Sequence, residues 1–267
     1  MAIQPASTLN RNSGPLLEAR GIDVCVAGHV LVSGLTFEVQ AGQMVCLLGA
    51  NGAGKSLTLH TLAGLRVPSG GDVMLNGKPV AHWPRRERAL RVGLLTQVSE
   101  DPFPGTVMEA VLVGRHPHVQ AWQWESPEDV EAARQALADC DLEGFEDRDL
   151  DTLSGGERRR VALASVLAQD PDVLLLDEPQ NHLDPRHQMA VLRLLRARAD
   201  AGKSVIVSLH DASLANRFGD LALLLYGDGR WSFGTTDTTL TAALLSELYS
   251  MQMSEVSLNG QRHFLSL

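Results

Sequence analysis

The chain has 267 residues, 44% hydrophobic and 21% charged, enough for one large α/β domain or two small ones around a real core. A formal net charge of −9 argues against a general nucleic-acid binder but leaves room for one phosphate-rich ligand at a local positive site. Cys25, Cys46 and Cys140 show no disulfide framework and no metal spacing, which suits a reducing cytoplasm, and Cys46 reads as a small buried hydrophobe.

Met1 to Gly14, rich in Ser, Thr, Asn and Gln, reads as a loose tail with no basic start followed by an apolar core. Short strand-like runs follow from Leu16 to Val39, and Gln40 to Gln43 turns the chain into an apolar strand, Met44 to Leu48. That strand enters Gly49, Ala50, Asn51, Gly52, Ala53, Gly54, Lys55, Ser56 and Leu57, and residues from Leu57 to Leu62 leave with helical spacing. Strand, glycine-rich loop and helix together make a phosphate cradle. The glycines let successive N–H groups point at one anion, and the helix start adds free donors and the positive end of its dipole. Lys55 would reach the terminal phosphates and the Ser56 hydroxyl would ligate magnesium. The chain has only three lysines, Lys55, Lys78 and Lys203, so a chance match is rare.

After the loop Pro68 to Gly71, Asn76-Gly77 between two short runs signals a hairpin with a type I′ turn. The front third therefore holds an antiparallel element beside the phosphate-binding strand. Arg85 to Arg91 reads as a charged helix, Val92 to Thr96 as a strand with Gln97 at its end, and Asp101 to Gly105 as a break. Thr106 to Gly114 looks like a helix capped by Thr106 with Glu109 three residues on. His116 to Trp124 is irregular, and Ser126-Pro127-Glu128-Asp129 starts a helix whose face carries Val130, Ala133, Leu137 and Cys140. This middle portion reads as an inserted helical subdomain, about residues 101–152.

Beyond Leu153-Ser154-Gly155-Gly156-Glu157 a helix runs to about Gln169 and is ended by Asp170-Pro171. Strand Val173 to Leu176, helix Gln188 to Asp200, strand Ser204 to Leu209, helix Ala212 to Phe218 and strand Leu221 to Leu225 give a βαβ alternation with a mostly parallel sheet. Asp237 to Tyr249 suggests one terminal helix, and the last dozen residues a strand pair or tail. The longest clearly apolar run, Leu221 to Tyr226, is far short of the ~20 residues that span a bilayer, so membrane association is expected only through a partner.

Ligands of an open parallel sheet bind beyond the carboxyl ends of its strands. One such strand ends in the phosphate loop, a second in Asp177-Glu178 and a third in His210. Asp177 suits a magnesium ion, Glu178 the polarisation of an attacking water, and His210 a hydrogen bond to the γ-phosphate or that water. Gln97 fits the same edge as a magnesium ligand. Singly, each has an ordinary explanation, a helix cap or a solvated turn; the shared edge gives them weight.

In order, Gly49 to Ser56, Gln97, Leu153 to Glu157, Val173 to Glu178, Asn181-His182-Leu183-Asp184 and His210 resemble an ATP-binding cassette ATPase, over nearly all of the chain from about Leu16. The resemblance implies a fold of class α/β: a P-loop NTPase (RecA-like) core with an antiparallel β-subdomain and an inserted α-helical subdomain, residues 15–267 forming one nucleotide-binding domain. It implies ATP and Mg2+ as ligands and a head-to-tail homodimer, each ATP lying between one phosphate loop and the partner's Ser154, Gly155 and Gly156. Those groups, at a helix start, can face a γ-phosphate. By the same resemblance Asp184 communicates across the dimer and Gln97 couples the site to a permease. Arg158-Arg159-Arg160 could assist the phosphate site, although a solvated helical face explains most of that triplet. Two positions depart from the pattern: Val26 stands where an aromatic residue usually stacks on adenine, and Gln180 where threonine is more frequent.

The run Gly105-Thr106-Val107 and Val111 to His118 resembles cassettes of importers for metal chelates: vitamin B12, haem or iron-siderophores. Such a subunit would sit peripherally at the cytoplasmic face of the inner membrane, touching membrane only through integral permease subunits and serving a substrate-binding protein indirectly. His116 and His118 read as loop surface rather than a metal site. An export cassette, or a soluble ATP-gated clamp or assembly factor without a permease, remains open from the chemistry.

Overall fold

The computed structural model describes residues 14–97, 105–120 and 122–267. Nearly all of the expected tail, most of the break at residues 101–105 and position 121 of the irregular stretch lie outside the described residues.

The front third forms β1 (Leu17–Val26), β2 (His29–Val39), β3 (Met44–Leu48), α1 (Lys55–Leu62), β4 (Gly70–Leu75) and β5 (Lys78–Pro79). Strands β2, β1, β4 and β5 lie in that order in an antiparallel sheet. The Asn76-Gly77 hairpin is present, with both residues at positive φ (49° and 72°) as a type I′ turn requires. Next come α2 (Arg85–Ala89), β6 (Val92–Leu95), α3 (Val107–Leu112), α4 (Pro127–Asp139), α5 (Gly155–Ala168) and β7 (Val173–Leu176). Then α6 (Pro185–Asp200), β8 (Ser204–Ser208), α7 (Ala212–Phe218), β9 (Leu221–Leu225), β10 (Trp231–Thr235), α8 (Thr236–Thr239), α9 (Ala242–Tyr249), β11 (Met253–Leu258) and β12 (Gln261–Ser266) complete the chain.

The second sheet runs β10-β9-β3-β8-β7-β6, parallel except for β10 at its edge. Its central strands are continuous apolar runs because both faces are covered, and the two-residue period divides each run between two cores. Met44, Cys46 and Leu48 face one core with Leu174, Leu176, Val205 and Val207 and the helices α3 to α7; Val45, Leu47, Leu175 and Ile206 face the other, with the antiparallel sheet. Burial pushes the Cys46 thiol up to about 12, as fits a packing residue rather than a reactive one.

Local chemistry sets the helix starts. Thr106, Ser126 and Ser154 each form a two-way capping box, with Glu109, Asp129 and Glu157 respectively. Helix α6 starts three residues earlier than the expected Gln188, because Asp184 accepts from the His187 N–H at 2.9 Å and Pro185 occupies the first turn. The expected single helix over 237–249 is two. The hydroxyls of Thr235 and Thr241 accept from Thr238 N and Leu244 N, so each starts its own short helix and the chain breaks between them. The final residues form the strand pair β11–β12, and β10 is an edge strand that no sequence signal had marked.

Candidate active site

The parallel topology brings the carboxyl ends of β3, β8, β7 and β6 side by side. The glycine-rich loop closes with Ala53 N donating to Ala50 O at 3.1 Å, and Gly52 and Gly54 sit at φ 82° and 97°. A Cβ on Gly49 would stand 2.7 Å from the Leu225 carbonyl oxygen, so only glycine lets the loop pass that close to β9. Lys55 is buried, its ammonium donating to Gly49 O at 2.9 Å and Ala50 O at 3.4 Å and lying 3.9 Å from Glu178 Oε1. Burial lowers its pKa, opposed by the Glu178 and Asp177 carboxylates. Ser56 and Leu57 are half-buried at the start of α1, and Ala50, Asn51 and Gly52 are exposed at the loop tip.

Glu178 is the hub of this edge. Its Oε1 lies 2.6 Å from His210 Nε2, and its Oε2 accepts from Gln97 Nε2 at 3.1 Å and from Asn181 Nδ2. Glu178 itself adopts φ 49°, an uncommon left-handed conformation for a glutamate. Asp177 Oδ1 accepts from the Ser208 hydroxyl at 2.6 Å, and the same Ser208 Oγ accepts from the Glu178 N–H at 2.8 Å. Asp177 Oδ2 is buried without a hydrogen-bond partner. A buried carboxylate oxygen left unpaired is costly, and an oxygen-liganded divalent cation would satisfy it. The residues present fit magnesium.

Ser154 and Gly155 are exposed at the start of α5. Ser154 Oγ donates to Glu157 Oε2 at 2.7 Å and its N–H donates to the same oxygen, also at 2.7 Å. Ser154, Gly155 and Gly156 share a cleft with His182, Leu183, Asp184 and His187; no phosphate-loop residue lines it. Asp184 is exposed, and hydrogen bonds from the His187 backbone and ring hold its carboxyl below the usual range. The structure therefore gathers Lys55, Gln97, Asp177, Glu178 and His210 at one place, and Ser154, Gly155, Gly156 and Asp184 at another.

Three residues have roles that sequence reading did not assign. Ser208 and Asn181 fix the two carboxylates. Arg159 is no solvated charge: it is buried, and its guanidinium donates to the carbonyls of Thr96, Gln97, Asp177 and Glu178. A signal existed, since Arg159 falls at helical spacing on the buried stripe of α5 with Leu163 and Val166. Its neighbours also have partners, Arg160 donating to Cys140 O at 3.0 Å and Arg158 to Asp151 O at 3.2 Å. His118 Nε2 lies 2.9 Å from Gln169 O, at the C-terminal end of α5, and no metal-binding group of His, Cys, Asp or Glu assembles among the described residues. Val26, at the end of β1, is 42% exposed and presents no ring.

A phosphate loop beside Asp177, Glu178 and His210 on a parallel sheet defines a P-loop NTPase. A family model described as ABC transporter matches residues 32–181. The chain is 43% identical over 234 residues to the hemin import ATP-binding protein HmuV of Streptomyces coelicolor, covering 88% of this chain and 83% of that protein. It is 40% identical over 243 residues to the protein of the same name from Pseudomonas putida, covering 89% and 94%. Among solved structures, a metal-chelate type ABC transporter in an inward-facing conformation matches with TM-score 0.82 at 26% identity, over 95% of this chain and 98% of that one. The dimeric ATP-binding cassette MJ0796, in a post-hydrolysis state with ADP and Pi, matches with TM-score 0.71 at 26% identity, over 81% and 97%. The chain belongs to the ABC transporter family and is an ATPase of that family.

Proposed function

We propose that this chain powers an importer of a metal chelate, haem first among the candidates, as one of two identical ATPase subunits bound to integral permease subunits at the cytoplasmic face of the membrane. Identity near 40% to hemin import ATP-binding proteins, across almost the whole chain, carries the proposal. No helix among the described residues is long and apolar enough to cross a membrane, so membrane attachment falls to the permease.

In the proposed mechanism the loop N–H groups and Lys55 hold the β- and γ-phosphates. Ser56, Asp177 and, through its amide oxygen, Gln97 would hold Mg2+, which supplies neutralisation of phosphate charge when bound. Glu178 takes a proton from a water whose oxygen attacks the γ-phosphorus while the bond to the ADP oxygen breaks. His210, 2.6 Å from that carboxylate, orients it and the γ-phosphate. The donors of Ser154, Gly155 and Gly156 come from the second copy, a reading supported by their lining a cleft that contains no phosphate-loop residue of their own chain.

The test is ATP-driven uptake by proteoliposomes holding this chain with its permease and binding protein, offered haem, vitamin B12 and an iron-siderophore separately. Accumulation of haem above the others is the expected result. A complex that hydrolyses ATP and accumulates another chelate would overturn the substrate; a chain that never assembles with a permease would overturn the importer.

A further inference from the structure

Among the groups that the proposed mechanism leaves unused, Arg159 is the most constrained. A buried guanidinium ordinarily faces a carboxylate across a bidentate pair, because desolvating the charge costs several kcal/mol. Here the two terminal nitrogens face four main-chain carbonyls at the ends of two strands. One donates to Thr96 O at 2.5 Å and Gln97 O at 3.3 Å, beyond β6; the other donates to Asp177 O and to Glu178 O at 3.0 Å, beyond β7. Nε has no partner, so the whole bonding capacity that is used goes to these two loop ends.

The placement of the second nitrogen matters most. Asp177 O and Glu178 O belong to the peptide units on either side of the Glu178 Cα, so one nitrogen fixes both planes that set its φ and ψ. With the Glu178 N–H bound to Ser208 Oγ at 2.8 Å, the backbone of this residue is tied at every polar atom around it. Such ties are what a glutamate at φ 49° requires, because the left-handed region is strained for a side chain of this kind. The first nitrogen fixes the carbonyl of Gln97, whose side-chain amide donates to the Glu178 carboxylate at 3.1 Å. Arg159 also stands about one and a half helical turns beyond Ser154, the N-cap of α5, so one rigid segment carries both the donors for one ATP and the clamp on the carboxylate that serves another.

We propose that Arg159 is a positioning residue for hydrolysis: its guanidinium locks the strand ends that carry Glu178 and Gln97, and so sets the carboxylate against the attacking water. This inference rests on Glu178 being the proton acceptor. Arg159 is buried and spends its two terminal nitrogens on main-chain carbonyls, so it acts on turnover and not on ATP affinity.

Arg159→Gln, Arg159→Lys, Glu178→Gln and the double variant Arg159→Gln/Glu178→Gln are compared in the assembled transporter. The readouts are kcat, equilibrium binding of a non-hydrolysable ATP analogue, and melting temperature. Arg159→Gln is expected to lower kcat at least 30-fold with analogue affinity within threefold of wild type. Arg159→Lys, which keeps the charge but not the two-pronged reach, should recover part of that loss. The double variant should turn over no more slowly than Glu178→Gln alone, because both lesions act through one carboxylate. A merely structural role predicts the opposite: affinity and melting temperature fall with kcat, and the losses multiply in the double variant. Should Arg159→Gln not fold, Arg159→Lys with wild-type kcat, or with affinity and kcat reduced together, overturns the proposal. Wild-type turnover in Glu178→Gln would remove the carboxylate reading itself. An inactive Glu178→Gln beside a fully active Arg159→Gln would remove only the role of Arg159.

Discussion

Lys55 is held by its own loop: its ammonium is buried against Gly49 O and Ala50 O, within 3.9 Å of Glu178. A phosphate would take over those donors and supply the counter-charge that burial demands. Lys55→Ala is expected to weaken ATP binding by roughly 2–4 kcal/mol, the scale of a charge-stabilising group removed from a desolvated site. Isothermal titration with ATP checks it, and unaltered affinity would contradict the cradle. At this scale the phosphate loop was legible because its residues are contiguous and the backbone chemistry needs glycine at fixed places. The partners of Arg159, Ser208 and Asn181 were hidden for the converse reason. Arg159 and Ser208 reach partners 18 to 63 residues away, which no local spacing encodes, and Asn181, three residues from Glu178, depends on a left-handed backbone that sequence does not announce.

Among the elements, the helices between β6 and β7 share an apolar core and are also joined by a largely buried ion pair. Arg115 Nε donates to Asp129 Oδ1 at 2.8 Å, and its Nη1 to Ala168 O at 2.7 Å, so the end of the α3 segment, the start of α4 and the end of α5 meet in one side chain. Asp129 also closes the Ser126 capping box. Arg115→Ala leaves that carboxylate buried without its cation and should destabilise the protein by roughly 3–5 kcal/mol. Chemical denaturation followed by far-ultraviolet circular dichroism measures it; a change below about 1 kcal/mol would show that the pair is solvated. The helix starts here were legible from Thr106, Ser126 and their box partners. The Arg115 pair was not, since the arginine precedes the helix it stabilises. The division of 237–249 into α8 and α9 was missed because threonines suit a helix period yet cap each short segment with their own hydroxyls.

On the scale of the whole molecule, the period-two division of the β3, β7 and β8 runs between two cores explains why a single sheet supports helices on one face and an antiparallel sheet on the other. The α/β class and the sheet edge followed from alternation of elements. The need for a second copy did not: composition and spacing say nothing of it, and only the resemblance supplied it. The structure is consistent with it: Ser154, Gly155, Gly156 and Asp184 line a cleft of their own, with no phosphate-loop residue in its wall. In the proposed function, a head-to-tail pair would complete the half-site that each of these two surfaces carries.

In the proposed mechanism Glu178 drives hydrolysis at a site made by two copies. Glu178→Gln tests it most directly, with ATP turnover and sedimentation velocity measured on the same sample in the presence and absence of Mg-ATP. Turnover is expected to fall by at least two orders of magnitude, on the order of 3 kcal/mol in the barrier, together with a dimer that forms on ATP addition and persists. Turnover at the wild-type rate, or a variant that binds ATP and stays monomeric, would contradict it.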